Sequence, residues 1–239
     1  DNYFQSSVID FDKDRSDRST YKLLGGSIGF YGSTLNTRQY ATKGYLEKLI
    51  AQVFTGRERF EPGNPQEGYS PSPQERQSWL QISYMKEAYH TMGPKFTLGW
   101  MAEALYSSKN FSENYTATMM QAGEFAPTPH SKLMYNEAFR ANQYVAAGIK
   151  PIYVLNDMFQ FRTEFYGFTP IFPIKKNALN KAYYGKAFSR FEYMGEVSVI
   201  CHLPFGAISA YVNHYSSPRR EWNVGMTIGW QLFNYRFVE

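Results

Sequence analysis

Between Glu221 and Phe237 the chain reads EWNVGMTIGWQLFNYRF and alternates strictly. Trp222, Val224, Met226, Ile228, Trp230 and Leu232 fall on one side; Asn223, Gly225, Thr227, Gly229 and Gln231 fall on the other. Successive side chains of a strand point to opposite faces, so this stretch predicts a strand with one apolar wall and one small or polar wall. Roughly 9–11 tilted residues cross a bilayer as a strand, and tryptophan favours both membrane interfaces, so the apolar wall is expected to face lipid. A strand of a soluble sandwich can alternate too, and the remaining pattern has to decide.

Earlier stretches repeat the rhythm. Tyr21 to Tyr31 sets Leu24, Ile28 and Phe30 against Gly25, Ser27 and Gly29. Tyr45 to Arg59 puts Leu49, Ala51 and Val53 on one side, although Leu46, Ile50 and Phe54 leave its phase open to a short helix. Ser78 to His90 alternates on Leu80, Ile82 and Tyr84, and Phe96 to Tyr106 on Phe96, Leu98, Trp100, Ala102 and Ala104. Further strands are expected at Phe139 to Ile149, Tyr153 to Phe168, Glu196 to Leu203 and Ala207 to Tyr215. In the second of these, Leu155, Phe159, Phe161 and Phe165 oppose Gln160, Arg162 and Glu164, a polar wall that suits a wet lumen better than a soluble core. Val197, Val199, Cys201 and Leu203 likewise oppose Glu196, Ser198 and His202. Pro- and Gly-rich text at Phe60 to Glu75 and the long stretch Asn110 to Ala138 read as loops, the latter too long for a hairpin turn. About nine strands result, joined by alternating short and long connections, as in outer-membrane barrels. The odd count is awkward for such a barrel, and with the abrupt opening DNYFQSS it suggests a mature fragment that lacks earlier strands.

Composition strengthens the membrane expectation. Aromatics make up 18% of the chain, with 20 Tyr and 19 Phe, yet the mean hydropathy is −0.48. A strand that shows only alternate residues to lipid gives this combination, whereas a membrane helix needs roughly 18 apolar residues in a row, and none exists here. Cys201 is the only cysteine, so no internal disulfide forms. The net charge of +4 is spread out, with no basic run interleaved with aromatics to suggest nucleic acid.

Three stretches resemble one family. Gly32 to Gly44 (GSTLNTRQYATKG), Phe161-Arg162-Thr163-Glu164-Phe165 with Pro170, and Tyr193-Met194-Gly195-Glu196 through Phe233 are similar to segments of the outer-membrane assembly and two-partner-secretion barrel superfamily. More narrowly, Phe125 to Pro129, Phe139 to Asn142 and Ile228 to Phe233 resemble the C-terminal, surface-antigen-type barrel of bacterial patatin-like proteins. The resemblance covers most of the chain from about Gly32. It implies an all-β, antiparallel transmembrane β-barrel, with residues 1–239 forming one domain, the C-terminal part of a sixteen-stranded barrel. It also implies a bacterial outer-membrane location, with membrane lipids as partners and, beside them, an N-terminal hydrolase domain of the same protein or other outer-membrane proteins. The implied role is anchoring, and by extension exporting or positioning, a patatin-like acyl hydrolase portion lying N-terminal to this chain. In that family an arginine of a long surface loop folds into the lumen and pairs with an acid on a strand. Carried over, the pair is Arg140 with Glu164, although Ala141 departs from the family's glycine. The plain alternative is that both are ordinary solvated lumen charges.

No catalytic, cofactor or metal set emerges. Gly25-Gly26-Ser27-Ile28-Gly29 matches the G-x-S-x-G elbow of serine hydrolases, but such an elbow needs a helix directly after it, and here the alternation continues. His90, His130, His202 and His214 lack ligand spacing, and no residue pattern calls for a cofactor. Two other functions remain open: a self-contained outer-membrane porin or small lipid-modifying barrel enzyme, and a soluble Tyr-rich sandwich that binds carbohydrate.

Overall fold

The computed structural model describes residues 2–4, 15–63, 76–204, 206–217 and 222–230. Among them, antiparallel strands dominate. A ten-stranded sheet runs in the order β1 (Asn2–Tyr3), β2 (Asp17–Ser33), β3 (Gly44–Glu61), β4 (Arg76–Thr91), β5 (Phe96–Ser107), β8 (Gln143–Val154), β9 (Phe159–Pro170), β12 (Glu192–Leu203), β13 (Gly206–Tyr215) and β14 (Trp222–Trp230). Two small pairs lie in the connections: β6 (Gly123–Glu124) with β7 (Arg140–Ala141), and β10 (Ile174–Lys176) with β11 (Ala182–Tyr184). All long strands are sequential neighbours, the arrangement of a meander. The expected strands are present among the described residues, several longer than the pattern indicated. The one expected from Phe139 starts at Gln143, because Glu137–Phe139 forms a 3-10 turn; the last strand beyond Trp230 and most of the loop expected at Phe60 to Glu75 lie outside the described residues. One open phase is settled and one further strand boundary is corrected. Tyr45 to Phe54 is β-strand throughout, and Tyr153 belongs to the strand before the turn at 155–158. A seven-residue helix, α1 (Tyr115–Gln121), capped by the Asn114 side chain on the Ala117 N–H, lies in the long loop, where no helix was expected.

The two faces of the sheet differ in chemistry. Leu80, Ile82, Phe159, Phe161, Val197, Val199 and Ile228 all lie exposed on one face, and Leu98 and Trp100 share it with partial exposure. Trp230 occupies the same register position, across from Gly206. On β3, whose phase was open, Leu49 and Val53 take the exposed face while Leu46 is buried on the other. The opposite face carries Lys150, Gln160, Arg162, Glu164, Glu196, Ser198, Ser209 and Asn213, and all of these are buried. A water-soluble sheet does the reverse, with apolar residues in and polar residues out.

What buries the polar face is the chain itself. Connections alternate in length, as expected. Residues 34–43, 92–95 and 155–158 turn the chain at one end; residues 108–142 and 171–191 are long connections at the other. The 108–142 connection folds over the polar face and forms the core there. Phe125, Ala138, Phe139 and Ala141 pack on Met101, Leu105, Tyr144, Ala146, Tyr166, Phe168, Met194 and Tyr215 from five strands. It reaches β2, where Tyr21 hydrogen-bonds Ser112, and β14, where Thr227 meets His130, so the sheet wraps around it. Residues 34–43 enter the same space from the short-turn end. The wrapped sheet is not closed: β2 neighbours β1 and β3, and β14 neighbours β13 alone among the described residues.

Candidate functional site

The inner wall is built from small residues beside large ones. Gly99 on β5 and Gly148 on β8 leave room for the rings of Tyr89 and Tyr166, which lie where a Cβ at either glycine would stand. Between those rings sits Lys150, whose ammonium lies 2.7 Å from Glu87 Oε2. Next on the wall, the Arg162 guanidinium grips Glu164 Oε1 through Nε (2.9 Å) and Nη2 (2.8 Å), while Tyr166 OH donates to Glu164 Oε2 at 2.7 Å. Burying these charges is tolerable because each has an opposite partner and further hydrogen bonds. The wall also holds the short-end insert. Arg162 Nη1 donates to the Ala41 carbonyl (2.9 Å), and Gln160 Nε2 to the Tyr40 carbonyl (3.1 Å). Tyr40 has φ +55°, a left-handed conformation that a bulky side chain adopts only where its surroundings enforce it.

The two inserts meet at His130. Its Nδ1 lies 2.8 Å from Glu196 Oε1 on β12, and Thr128 Oγ1 donates to Glu196 Oε2 at 3.2 Å. Its Nε2 faces Ser209 Oγ (3.1 Å), Thr227 Oγ1 (3.2 Å) and Tyr40 OH (3.4 Å). Tyr40 OH donates to Ser209 Oγ at 2.8 Å, and Tyr211 stacks on the imidazole with centroids 3.5 Å apart. One imidazole therefore ties the long insert to three strands and to the short insert. A tight ST-type turn, Thr128 to Ser131, presents it: the Thr128 N–H donates to Ser131 Oγ, and the Ser131 N–H to Thr128 Oγ1.

Arg140 and Glu164, carried over from the resemblance, are not brought together. Arg140 Nη2 lies 2.7 Å from Glu124 Oε2, and its Nη1 caps the carbonyls of Met120 and Ala122 at 3.2 Å, so it braces α1 and β6 from within the insert. Glu164 is taken by Arg162. Residues two apart on one strand stand about 7 Å apart at Cα, and a guanidinium at the end of three methylenes spans that gap. The connection between insert and wall runs instead through His130, Thr128 and Glu196. The signal was present in part, since Glu196 falls on the polar wall of its strand; nothing in the sequence picked His130 out of the four histidines.

Ser209, His130 and Glu196 stand in the order and spacing of a hydroxyl–imidazole–carboxylate relay. Ser209 is fully buried, however, and its hydroxyl is engaged by Tyr40 and by Thr227 at 2.6 Å. A cleft of 770 Å³ at the short-turn end is lined by Tyr40, Lys43, Lys95, Asp157, Gln160 and His202 among others, but not by Ser209 or His130. The arrangement is therefore built as a fastening, with no space for an acyl group at the hydroxyl. Ser27 lies on β2, which runs unbroken from Asp17 to Ser33, so it does not stand on a strand-to-helix elbow. No protein-family model, curated protein or solved structure matches the chain.

Proposed function

We propose that the exposed apolar face sits in lipid and that the chain forms wall and plug of an outer-membrane β-barrel domain acting as a scaffold rather than a catalyst. The observation that carries this reading is the inverted sheet: exposed Phe, Val, Ile and Leu on one face, buried Lys, Arg, Glu and Gln on the other. Every long strand has at least nine residues, enough to cross a bilayer at a tilt. The alternation of short and long connections adds support. Filling of the interior by residues 34–43 and 108–142 favours an anchor or a gated exporter over an open pore. A closed barrel in this reading joins the β1–β2 edge to the β14 edge, directly or through further strands. The passenger in this reading is a patatin-like acyl hydrolase portion N-terminal to the chain, supported by the sequence resemblance alone; an upstream domain with its own Ser–Asp pair in the full-length product tests it.

The test of the membrane reading is refolding of the purified chain with and without detergent micelles or bilayers. Strand circular dichroism and a sharp unfolding transition are expected only with lipid or detergent, along with retention in the membrane pellet after alkaline carbonate washing. A monodisperse, folded chain in plain buffer would overturn the reading and favour a soluble sandwich.

A further inference from the structure

The connection from Ile171 to Phe191 reads IFPIKKNALNKAYYGKAFSRF. It holds Lys175, Lys176, Lys181, Lys186 and Arg190 and no acid, five cations where the whole chain nets +4. Its hairpin, β10 with β11, is rooted on the long insert: Ile174 is buried with Met119 and Ala122, and Tyr184 packs on Phe111 at 4.4 Å. The root fixes which side faces out. Lys175, Lys176, Lys181 and Lys186 are exposed, and among the described residues the acids nearby leave most of that charge unanswered: Lys181 meets Glu113 only at 3.6 Å, and Arg190 alone is tightly paired, with Glu192. Among the cations stand exposed apolar groups, Phe172, Leu179, Tyr183 and Phe188. The segment joins the apolar outer face without a gap, because Phe191 lies over Gly167 of β9, and Tyr193 and Phe165 continue the exposed band along the strands.

From this placement we infer that the 171–191 hairpin docks on the phosphate-bearing headgroups of anionic lipid at the edge of the bilayer that holds the sheet. This rests on the membrane reading above. Aromatic rings and leucine settle at the headgroup boundary, while lysines extend along apolar surface and hold their ammonium groups in the phosphate layer. An anionic surface attracts each cation held within a screening length, so the effect falls with salt. Charge complementarity selects the occupant. A soluble protein partner would need an acidic face and would leave Leu179 and Phe188 without a place, whereas a lipid interface takes both kinds of side chain together.

The experiment uses the full chain refolded in zwitterionic micelles, with folding verified by circular dichroism. Affinity is measured for acyl-labelled phosphatidylglycerol and for acyl-labelled phosphatidylcholine, by fluorescence anisotropy, at low and at high salt. A clear preference for phosphatidylglycerol is expected, shrinking as salt rises. Each lysine contributes about 5-fold. The variant K175Q/K176Q/K181Q/K186Q should lose the preference, while its affinity for phosphatidylcholine and its circular dichroism stay as in the parent. An unchanged preference in that variant overturns the inference, as does full competition by millimolar inorganic phosphate, which would mean a soluble-anion site. A chain that folds in micelles but shows no preference ends this inference and leaves the membrane reading standing; a chain that folds only without lipid or detergent ends both.

Discussion

At the scale of single residues, many polar groups of the inner wall are held in close pairs, and these can be tested pair by pair. His130 and Glu196 are both buried and bridge two separate parts of the chain, so removing either takes from the other its shortest hydrogen bond; a double-mutant cycle with His130→Ala and Glu196→Ala should show coupling of about 1–3 kcal/mol. The same cycle on Arg140 and Glu164 should be additive within about 0.5 kcal/mol, because the two make no contact; coupling there would contradict the pairs described above. Lys109, just beyond β5, carries a different signal. Its ammonium lies over the rings of Trp79 (5.0 Å) and Tyr21 (5.3 Å) and donates to Gln121 Oε1. Burial pushes its pKa down to about 8, with Glu58 opposing. The unfolded chain keeps this proton up to the ordinary lysine range. The folded chain gives it up first, so folding stability should rise as pH climbs from about 8 to about 10, by at most about 3 kcal/mol. Lys109→Met should abolish that rise and be more stable than the parent at pH 7; urea titrations across this pH range measure both. What the sequence made legible at this scale was which face a residue occupies. Partners were not legible, because the position of His130 depends on how residues 108–142 fold, and no local pattern encodes that path.

At the scale of elements, strand existence and facing were readable because alternation is a local property, set by the pleat and by what each face touches. Phase was left open at β3, where Leu46, Ile50 and Phe54 turn inward and Leu49, Ala51 and Val53 outward, so that both faces are apolar; pairing with β4, Glu47 opposite Lys86 and Leu49 opposite Tyr84, settles it. The helix α1 escaped because its stability comes from the Asn114 cap and from burial of Ala117, Thr118 and Met119 against the insert, neither of which shows as a helical period in seven residues. Facing has a direct energetic consequence. Phe161→Arg, on the exposed face of β9, should cost about 2–4 kcal/mol for folding in bilayers if the residue lies near the membrane midplane. In plain buffer an exposed phenylalanine exchanged for arginine has little effect. Stability in lipid equal to the parent's would mean that the face does not meet hydrocarbon. A serine-directed phosphonate should label neither Ser27 nor Ser209, the first for want of an elbow and the second for want of access; stoichiometric labelling of either, read by mass spectrometry, would reopen a hydrolase role.

At the scale of the whole molecule, the arrangement makes sense as a sheet turned inside out: an apolar exterior, a charged inner wall, and two inserts that meet at one imidazole to fill the space. Phe161, Phe165, Val197, Val199, Val212, Val224 and Ile228 stand exposed on neighbouring strands, a contiguous apolar face of the kind soluble monomers rarely show. The tryptophans provide a test that separates the two faces in one experiment. Trp100 and Trp222 stand on the outer face, Trp222 with 72% of its surface exposed. Trp79 is buried on the inner wall, stacked on Phe54 at 5.1 Å with Lys109 over its ring. Single-tryptophan variants, the other positions replaced by phenylalanine, can be refolded into bilayers containing lipid brominated along the acyl chain. Bromine quenches an indole only near contact, so Trp100 and Trp222 should be strongly quenched and Trp79 spared. Water-soluble acrylamide should quench Trp79 weakly as well, because the insert covers it. Equal bromolipid quenching at Trp79 and Trp100 would mean that both faces touch lipid, a result incompatible with a sheet wrapped around its own loops.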